Sequence, residues 1–250
     1  MQVDAIVLAG AKNDGKLREV SPSPYEAMIL INDRPMLSYV VDALKQSKQV
    51  GRIVVVGYPE FKDYMDSDIV LLECGESLVE NIEIGIDYLG AKHHVLVVTS
   101  DIPMLTAEAV DDFLSQCRDQ NQDMFYPIVS KEVNEAVFPG VTRTYVKIKD
   151  GTYTGGNMVL VAPKFIQESK QVIHRVVMLR KKPFEIVKLL GFRILVKFIF
   201  RCLTIAEVER RVKHLFGINA KAVITSYPQI GTDVDKPSDW ELAQRVLSRQ

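Results

Sequence analysis

Three short stretches of this chain carry chemistry-bearing residues, two of them at the ends of apolar runs. The first is Leu8-Ala9-Gly10-Ala11, followed by Lys12, Asn13, Asp14, Gly15, Lys16 and Arg18. A buried strand that ends in small residues lets backbone N–H groups approach a phosphate closely, and nearby cations neutralise it. The loop is not a P-loop, because no Gly-Lys-Ser/Thr follows at the required spacing. It is not a dinucleotide fingerprint either, because Gly-x-Gly-x-x-Gly is missing. The second stretch, Thr99-Ser100-Asp101-Ile102-Pro103, sets a carboxylate just past an apolar run, where open α/β sheets form ligand crevices. Proline two residues later stops the strand and fixes the turn. The third, Asp233-Val234-Asp235, carries two carboxylates at alternate positions of an extended segment, so both point to one side. Such hard oxygen donors suit magnesium, which takes one or two carboxylates and completes its shell with water and substrate phosphates. Each stretch also has a plainer reading: a structural glycine turn, a capping or solvated aspartate, and negative charge ahead of a helix. A fourth stretch, Thr154-Gly155-Gly156-Asn157, reads either as a bulge or as close approach by a ligand, with Asn157 able to hydrogen-bond a sugar hydroxyl or phosphate.

The elements that must hold these residues follow from periodicity. Apolar runs of strand length at about 3–9, 52–57, 69–72, 94–99 and 124–129 alternate with segments of helical period at 35–47, 77–90 and 106–120. This alternation predicts an α/β fold, a mostly parallel sheet flanked by crossover helices. Capping-box patterns are expected at Ser77–Glu80, Thr204–Glu207, Ser238–Glu241 and, with proline at the first helical position, Ser23–Glu26. After residue 140, runs 143–149 and 152–162 flank Asp150-Gly151, which predicts a tight antiparallel hairpin. Residues 163–216 read as nearly continuous helix broken near Pro183 and Gly191. A short strand at 222–226 and a last helix follow. The expectation is a single domain over 1–250 with a helical insertion at about 163–221.

The 250 residues are 47% hydrophobic, enough for a sizeable core. A formal net charge of −1 offers no electrostatic footprint for nucleic acid, so none is expected as a partner. Cys74, Cys117 and Cys202 stand far apart and suggest neither zinc nor disulfides, and read as buried thiols. His93, His94, His174 and His214 lack acidic or cysteine partners at ligand spacing and read as surface or satisfied residues. The first apolar run is too short for a signal sequence, and a cytoplasmic location is expected. Residues 183–200 are the most apolar stretch, but Glu185, Lys188, Arg193 and Lys197 interrupt it too often for a membrane span. It is read as covering the core or an oligomer contact, which leaves room for a homodimer. With Arg180, Lys181 and Lys182 before it, contact of 180–201 with a membrane surface is the less favoured alternative.

Taken in order, Leu-Ala-Gly after the first strand, Arg34-Pro35-Met36-Leu37, Ser100-Asp101-Ile102-Pro103, Gly155-Gly156-Asn157 and Asp233-Val234-Asp235-Lys236-Pro237-Ser238-Asp239 resemble the nucleotidyltransferases of the GT-A fold. Within them the chain is similar to the molybdenum cofactor guanylyltransferase-like group. The resemblance covers roughly 1–162 and 222–250. It implies transfer of a nucleotidyl group from a nucleoside triphosphate to a small phosphorylated acceptor, with pyrophosphate released and Mg²⁺ as cofactor. It also implies nucleotide-binding roles for Leu8, Ala9, Gly10, Ala11, Lys12, Gly15 and Ser100, and catalytic roles for Lys16, Arg18 and Asp101. The metal would fall to Asp101, Asp233 and Asp235, and the acceptor to Gly155, Gly156 and Asn157. Ala11 stands where the resembled family has a glycine, and Glu26 where it has a lysine. Either Lys16 or Arg18 replaces that lysine, or the donor differs, or catalysis is lost. A GT-A glycosyltransferase using a nucleotide-sugar and a catalytically silent nucleotide-binding or partner-docking protein are the alternatives.

Overall fold

The computed structural model describes residues 2–179 and 182–248. The first apolar run forms β1 (Val3–Leu8), inside a nine-stranded sheet. Past the glycine loop, β2 (Leu30–Ile31) and β3 (Arg34–Pro35) make a small separate hairpin through Asn32 and Asp33. Both turn residues have positive φ, a conformation that short polar side chains tolerate best among non-glycine residues. Helix α1 (Met36–Gln46), β4 (Val50–Gly57), β5 (Val70–Glu73), α2 (Leu78–Leu89), β6 (Val95–Thr99), α3 (Ala107–Gln116) and β7 (Met124–Ser130) then alternate as the periodicity predicts. β4 and β6 flank β1 in parallel, and β5 pairs in parallel with β4.

The strands are buried on both faces, and their period of two sorts the core. Ala5 and Val7 face α1 and α3 together with Val55, Leu96, Leu37, Leu44 and Phe113, whereas Ile6 faces α2 with Val54, Val97, Ile82 and Ile86. Helices on both faces are what a parallel sheet requires.

Beyond β7 come α4 (Lys131–Val137), β8 (Val146–Ile148), β9 (Gly151–Gly155) and β10 (Met158–Val161). The tight turn lies at Lys149-Asp150, one residue before the predicted position, with Ile148 opposite Gly151. The second arm of the hairpin is not an appendage. β9 and β10 are two halves of one stretch antiparallel to β7, and β10 also pairs antiparallel with β6. A reversed strand is thus inserted among parallel ones, with β11 (Ala220–Thr225) parallel to β7.

The helical stretch divides further than predicted, into α5 (Pro163–Glu168), α6 (Lys170–Leu179), α7 (Pro183–Leu189), α8 (Phe192–Ile199) and α9 (Ile205–Phe216), before α10 (Pro237–Leu247). Phe165 and Ile166 of α5 join the α2 side of the core, while Val187, Leu190, Ile194 and Leu203 form a small cluster of their own. Of the expected capping boxes, Thr204–Glu207 is complete. Ser77 caps α2, but Glu80 accepts from Glu76 N–H rather than closing the box. At the other two the expectation fails. Lys236 precedes α10, so Ser238 lies inside the helix, and Ser23 Oγ instead bonds both the N–H and the carbonyl of Tyr25 in a loop. Only Cys117 of the three thiols is buried, whereas Cys74 is partly buried and Cys202 is exposed. His94 is satisfied by the Gln122 carbonyl at 2.7 Å.

Candidate nucleotide and metal site

β1 and β6 end side by side. Leu8 lies opposite Thr99, and Ser100 N–H donates to the Leu8 carbonyl at 3.1 Å, so the glycine loop and the Asp101 turn leave adjacent parallel strands at one level. Thr99 then positions the carboxylate, because its hydroxyl donates to Asp101 Oδ1 while its N–H donates to the Asn157 carbonyl at 3.0 Å. The Asp101 carbonyl accepts from Val234 N–H at 2.9 Å, which draws the Asp233–Asp235 segment alongside. As a result Asp101, Asp233 and Asp235 each present a carboxylate oxygen within 4.8 Å of the others. Residues more than 130 positions apart in sequence meet where this backbone hydrogen bond joins their segments.

Three carboxylates this close repel one another. Burial, followed by the charges of Asp101 and Asp235, pushes the Asp233 carboxyl up to about 7, and Arg143 opposes the shift. Arg143 donates through Nη1 to Asp233 Oδ1 and through Nη2 to the Asp233 carbonyl at 2.7 Å, and its own Nε is buried without a hydrogen-bond partner. Sequence reasoning missed Arg143 as a site residue. It comes from the irregular segment between α4 and β8, and nothing local marks it as the partner of a residue 90 positions away. Thr99 was equally invisible, since its role depends on what the inserted strand brings beside it. Asp235 is held by its own N–H, which donates to buried Asp239 at 3.2 Å. An all-carboxylate donor set with a raised pKa fits a hard divalent cation, which would relieve the repulsion that now favours a proton.

The loop after β1 is rigidly tied. Asn13 is buried, and its Nδ2 donates to the Ser21 and Ser23 carbonyls at 3.1 and 2.9 Å, folding the loop back on itself. A side chain at Gly10 would begin 3.2 Å from Asn81 Nδ2 and 3.3 Å from Cys74 Cβ, so the small residue lets the loop lie against α2. Tyr58 donates to the Gly10 carbonyl at 3.3 Å and stacks on Tyr25, ring centroids 4.0 Å apart. Ala9 is buried, Ala11 and Lys12 are exposed, and Gly15 has open space around it. Lys16 and Arg18 are exposed on a 3-10 turn, Lys16–Glu19, where Arg18 Nε donates to the Asn13 carbonyl at 2.7 Å. Between them Leu17 is buried in a cluster with Met104, three residues past Asp101, and with Val234, between the two late aspartates. One small core therefore anchors the basic turn and both acidic segments. Glu26 N–H donates to the Ala11 carbonyl at 3.1 Å, which sets this residue against the loop at its open edge.

Gly155 and Gly156 lie where the reversed strand changes its second partner from β8 to β6. A Cβ on Gly156 would fall 2.7 Å from Ile230 Cγ2 and 2.8 Å from Pro127 Cγ, and one on Gly155 would fall 2.1 Å from Tyr126 Oη. The protein's own packing thus accounts for both glycines, and a bulge is the observed structure. Asn157 brings the bulge to the site through its carbonyl on Thr99.

A mostly parallel sheet with one reversed inner strand, carrying a glycine loop and a carboxylate turn on adjacent strand ends, defines an α/β protein of the nucleotidyltransferase class. The chain belongs to the family of the MobA-like NTP transferase domain, whose model matches residues 5–177. A hypothetical transferase from Thermus thermophilus is 35% identical, with a TM-score of 0.82 covering 96% of this chain and 100% of that one. The 2-C-methyl-D-erythritol 4-phosphate cytidylyltransferase of Streptomyces avermitilis is 28% identical over 142 residues, 50% of this chain and 57% of that protein, so the match spans little more than half of its length. Similarity of fold alone, at 14% identity and a TM-score of 0.65, extends to a CMP:2-keto-3-deoxy-manno-octonic acid synthetase complexed with CTP, over 100% of this chain and 99% of the other.

Proposed function

We propose that this protein is a Mg²⁺-dependent nucleotidyltransferase that moves a nucleotidyl group from a nucleoside triphosphate to a small phosphorylated acceptor. The observation that carries the reading is the meeting of three carboxylates beside a glycine loop at the ends of adjacent strands. In the proposed reaction an acceptor phosphate oxygen attacks the α-phosphorus, a new P–O bond forms, the bond to the β-phosphate bridging oxygen breaks, and pyrophosphate leaves. No protein nucleophile is needed, so the work of the chain is positioning and charge neutralisation. Backbone N–H groups of Gly10, Ala11 and Gly15 would face the triphosphate, with Lys12, Lys16 and Arg18 supplying positive charge, while the Ala9 N–H is held by the Val56 carbonyl at 2.8 Å. Asp101, Asp233 and Asp235 would hold the metal, and Arg143 keeps Asp233 turned into the cluster. Bound there, Mg²⁺ supplies neutralisation of phosphate charge. Asn157, at the mouth of the bulge, would meet the acceptor.

CTP is the donor to try first, because the named relatives are a cytidylyltransferase and a synthetase complexed with CTP. Calorimetric titration of the four ribonucleoside triphosphates, with Mg²⁺ and with chelator, tests the reading. CTP is expected to bind only when Mg²⁺ is present. Failure of all four to bind overturns the donor assignment and assigns the cause to Glu26 at the position of the expected lysine.

A further inference from the structure

Helix α8 has two apolar faces. Ile194 is buried, and Leu195 and Phe198 pack with it against Val187, Leu190 and Leu203. At helical spacing of four and seven residues from Phe192, Val196 and Ile199 line the other side, where Phe192 is 78% and Ile199 58% exposed, and Phe200 just beyond is 72% exposed. Phe184 of α7 adds a further exposed ring. Two largely exposed phenylalanines, one opening an eight-residue helix and one just past its end, are not the scattered apolar residues of an ordinary surface. The charge around them is mostly basic, although Lys197 is paired with Glu207. In sequence, residues 180–201 hold seven basic side chains, Arg180, Lys181, Lys182, Lys188, Arg193, Lys197 and Arg201, against one acidic, Glu185. Arg180 and Lys181 lie outside the described residues. Lys182, Lys188, Arg193 and Arg201 are exposed.

We infer that this face docks on an anionic lipid surface. Aromatic and aliphatic side chains projecting from a short helix, with basic side chains around them, match what the boundary between headgroups and acyl chains accepts. A second copy of the chain is the poorer occupant, because a two-fold contact would set Lys188, Arg193 and Arg201 against their own counterparts. The helix does not span the bilayer, since no helix among the described residues is long and apolar enough. The buried side of this segment is tied to the sheet: the Lys149 N–H donates to the Leu203 carbonyl at 2.8 Å, in the turn that leads into β9.

Co-sedimentation with phosphatidylglycerol/phosphatidylcholine vesicles and with phosphatidylcholine vesicles alone tests the inference. Binding is expected to the anionic vesicles and to fall as salt rises. The double variant Phe192→Ser, Phe200→Ser is expected to lose binding roughly tenfold or more, and Arg193→Glu to weaken it severalfold, with unchanged circular dichroism because these side chains are exposed. Equal binding to both vesicle types, no binding to either, or binding indifferent to the phenylalanine variant would overturn it. So would a concentration-dependent dimer that the variant dissociates in sedimentation velocity without vesicle binding.

Discussion

At the scale of single residues, the site is one group of carboxylates for which the proposed cation would compete with a proton. Asp101 is oriented by Thr99 and Asp233 by Arg143, and the raised pKa of Asp233 reports its burial first and then the repulsion from Asp101 and Asp235. Asp101→Asn keeps the shape and removes the charge, so it is expected to fold normally and to lower metal-dependent pyrophosphate release by more than about 100-fold. A coupled pyrophosphatase assay measures this. The sign of the pH dependence follows from the raised pKa. The folded state binds the Asp233 proton more tightly than the unfolded chain, so this group's contribution to stability is complete below about pH 4 and is lost as pH rises towards about 7. A divalent cation competes with the same proton. Mg²⁺ is therefore expected to raise Tm more at about pH 8 than at about pH 5, and equal shifts in a thermal scan would remove Asp233 from the metal site.

At the scale of elements, the geometry rests on one 3-10 turn and two irregular segments, held by a small apolar cluster. Leu17, Met104 and Val234 share it, so the basic turn, the Asp101 turn and the late acidic segment move together or not at all. Leu17→Ala is expected to cost about 2–5 kcal/mol in denaturant unfolding, because it leaves a cavity in a fully buried position. It should also raise the donor KM, since Lys16 and Arg18 lose their anchor. An unchanged KM in a destabilised variant would show that the basic turn does not depend on this cluster. The reversed strand is the second device. Its break at Gly156–Asn157 delivers a carbonyl to Thr99, and Pro127 and Ile230 leave no room for a side chain there.

For the whole molecule, the doubly covered sheet is the rigid part and the site occupies its rim, where loops from strand ends converge. In the proposed complex, donor and metal together would bridge the glycine loop and the acidic segments, which neither ligand would do alone. CTP with Mg²⁺ at about a hundredfold excess over Kd is expected to stabilise the fold by about 2.7 kcal/mol, and CTP with chelator by much less. A thermal scan resolves the two, and equal stabilisation would show that the nucleotide binds without the acidic cluster. The helices 183–216 build a separate small cluster beyond β8, which leaves the outer face of α8 to a different task.

The amino-acid sequence by itself determined the parallel α/β frame. Apolar runs of period two and helical segments of period 3.6 are local patterns, and Leu8–Gly15 and Ser100–Pro103 could be read as strand-end chemistry, and Asp233–Asp235 as paired carboxylates on an extended segment, without knowing their neighbours. What only the tertiary structure decided is which of them meet. Val234 N–H on the Asp101 carbonyl, Arg143 on Asp233, and the insertion of β10 beside β6 all join residues tens of positions or more apart. No local pattern encodes such a pairing. It arises because burying both faces of the sheet leaves those strand ends at one rim, where the unsatisfied backbone groups and charges of one segment find their partners in another.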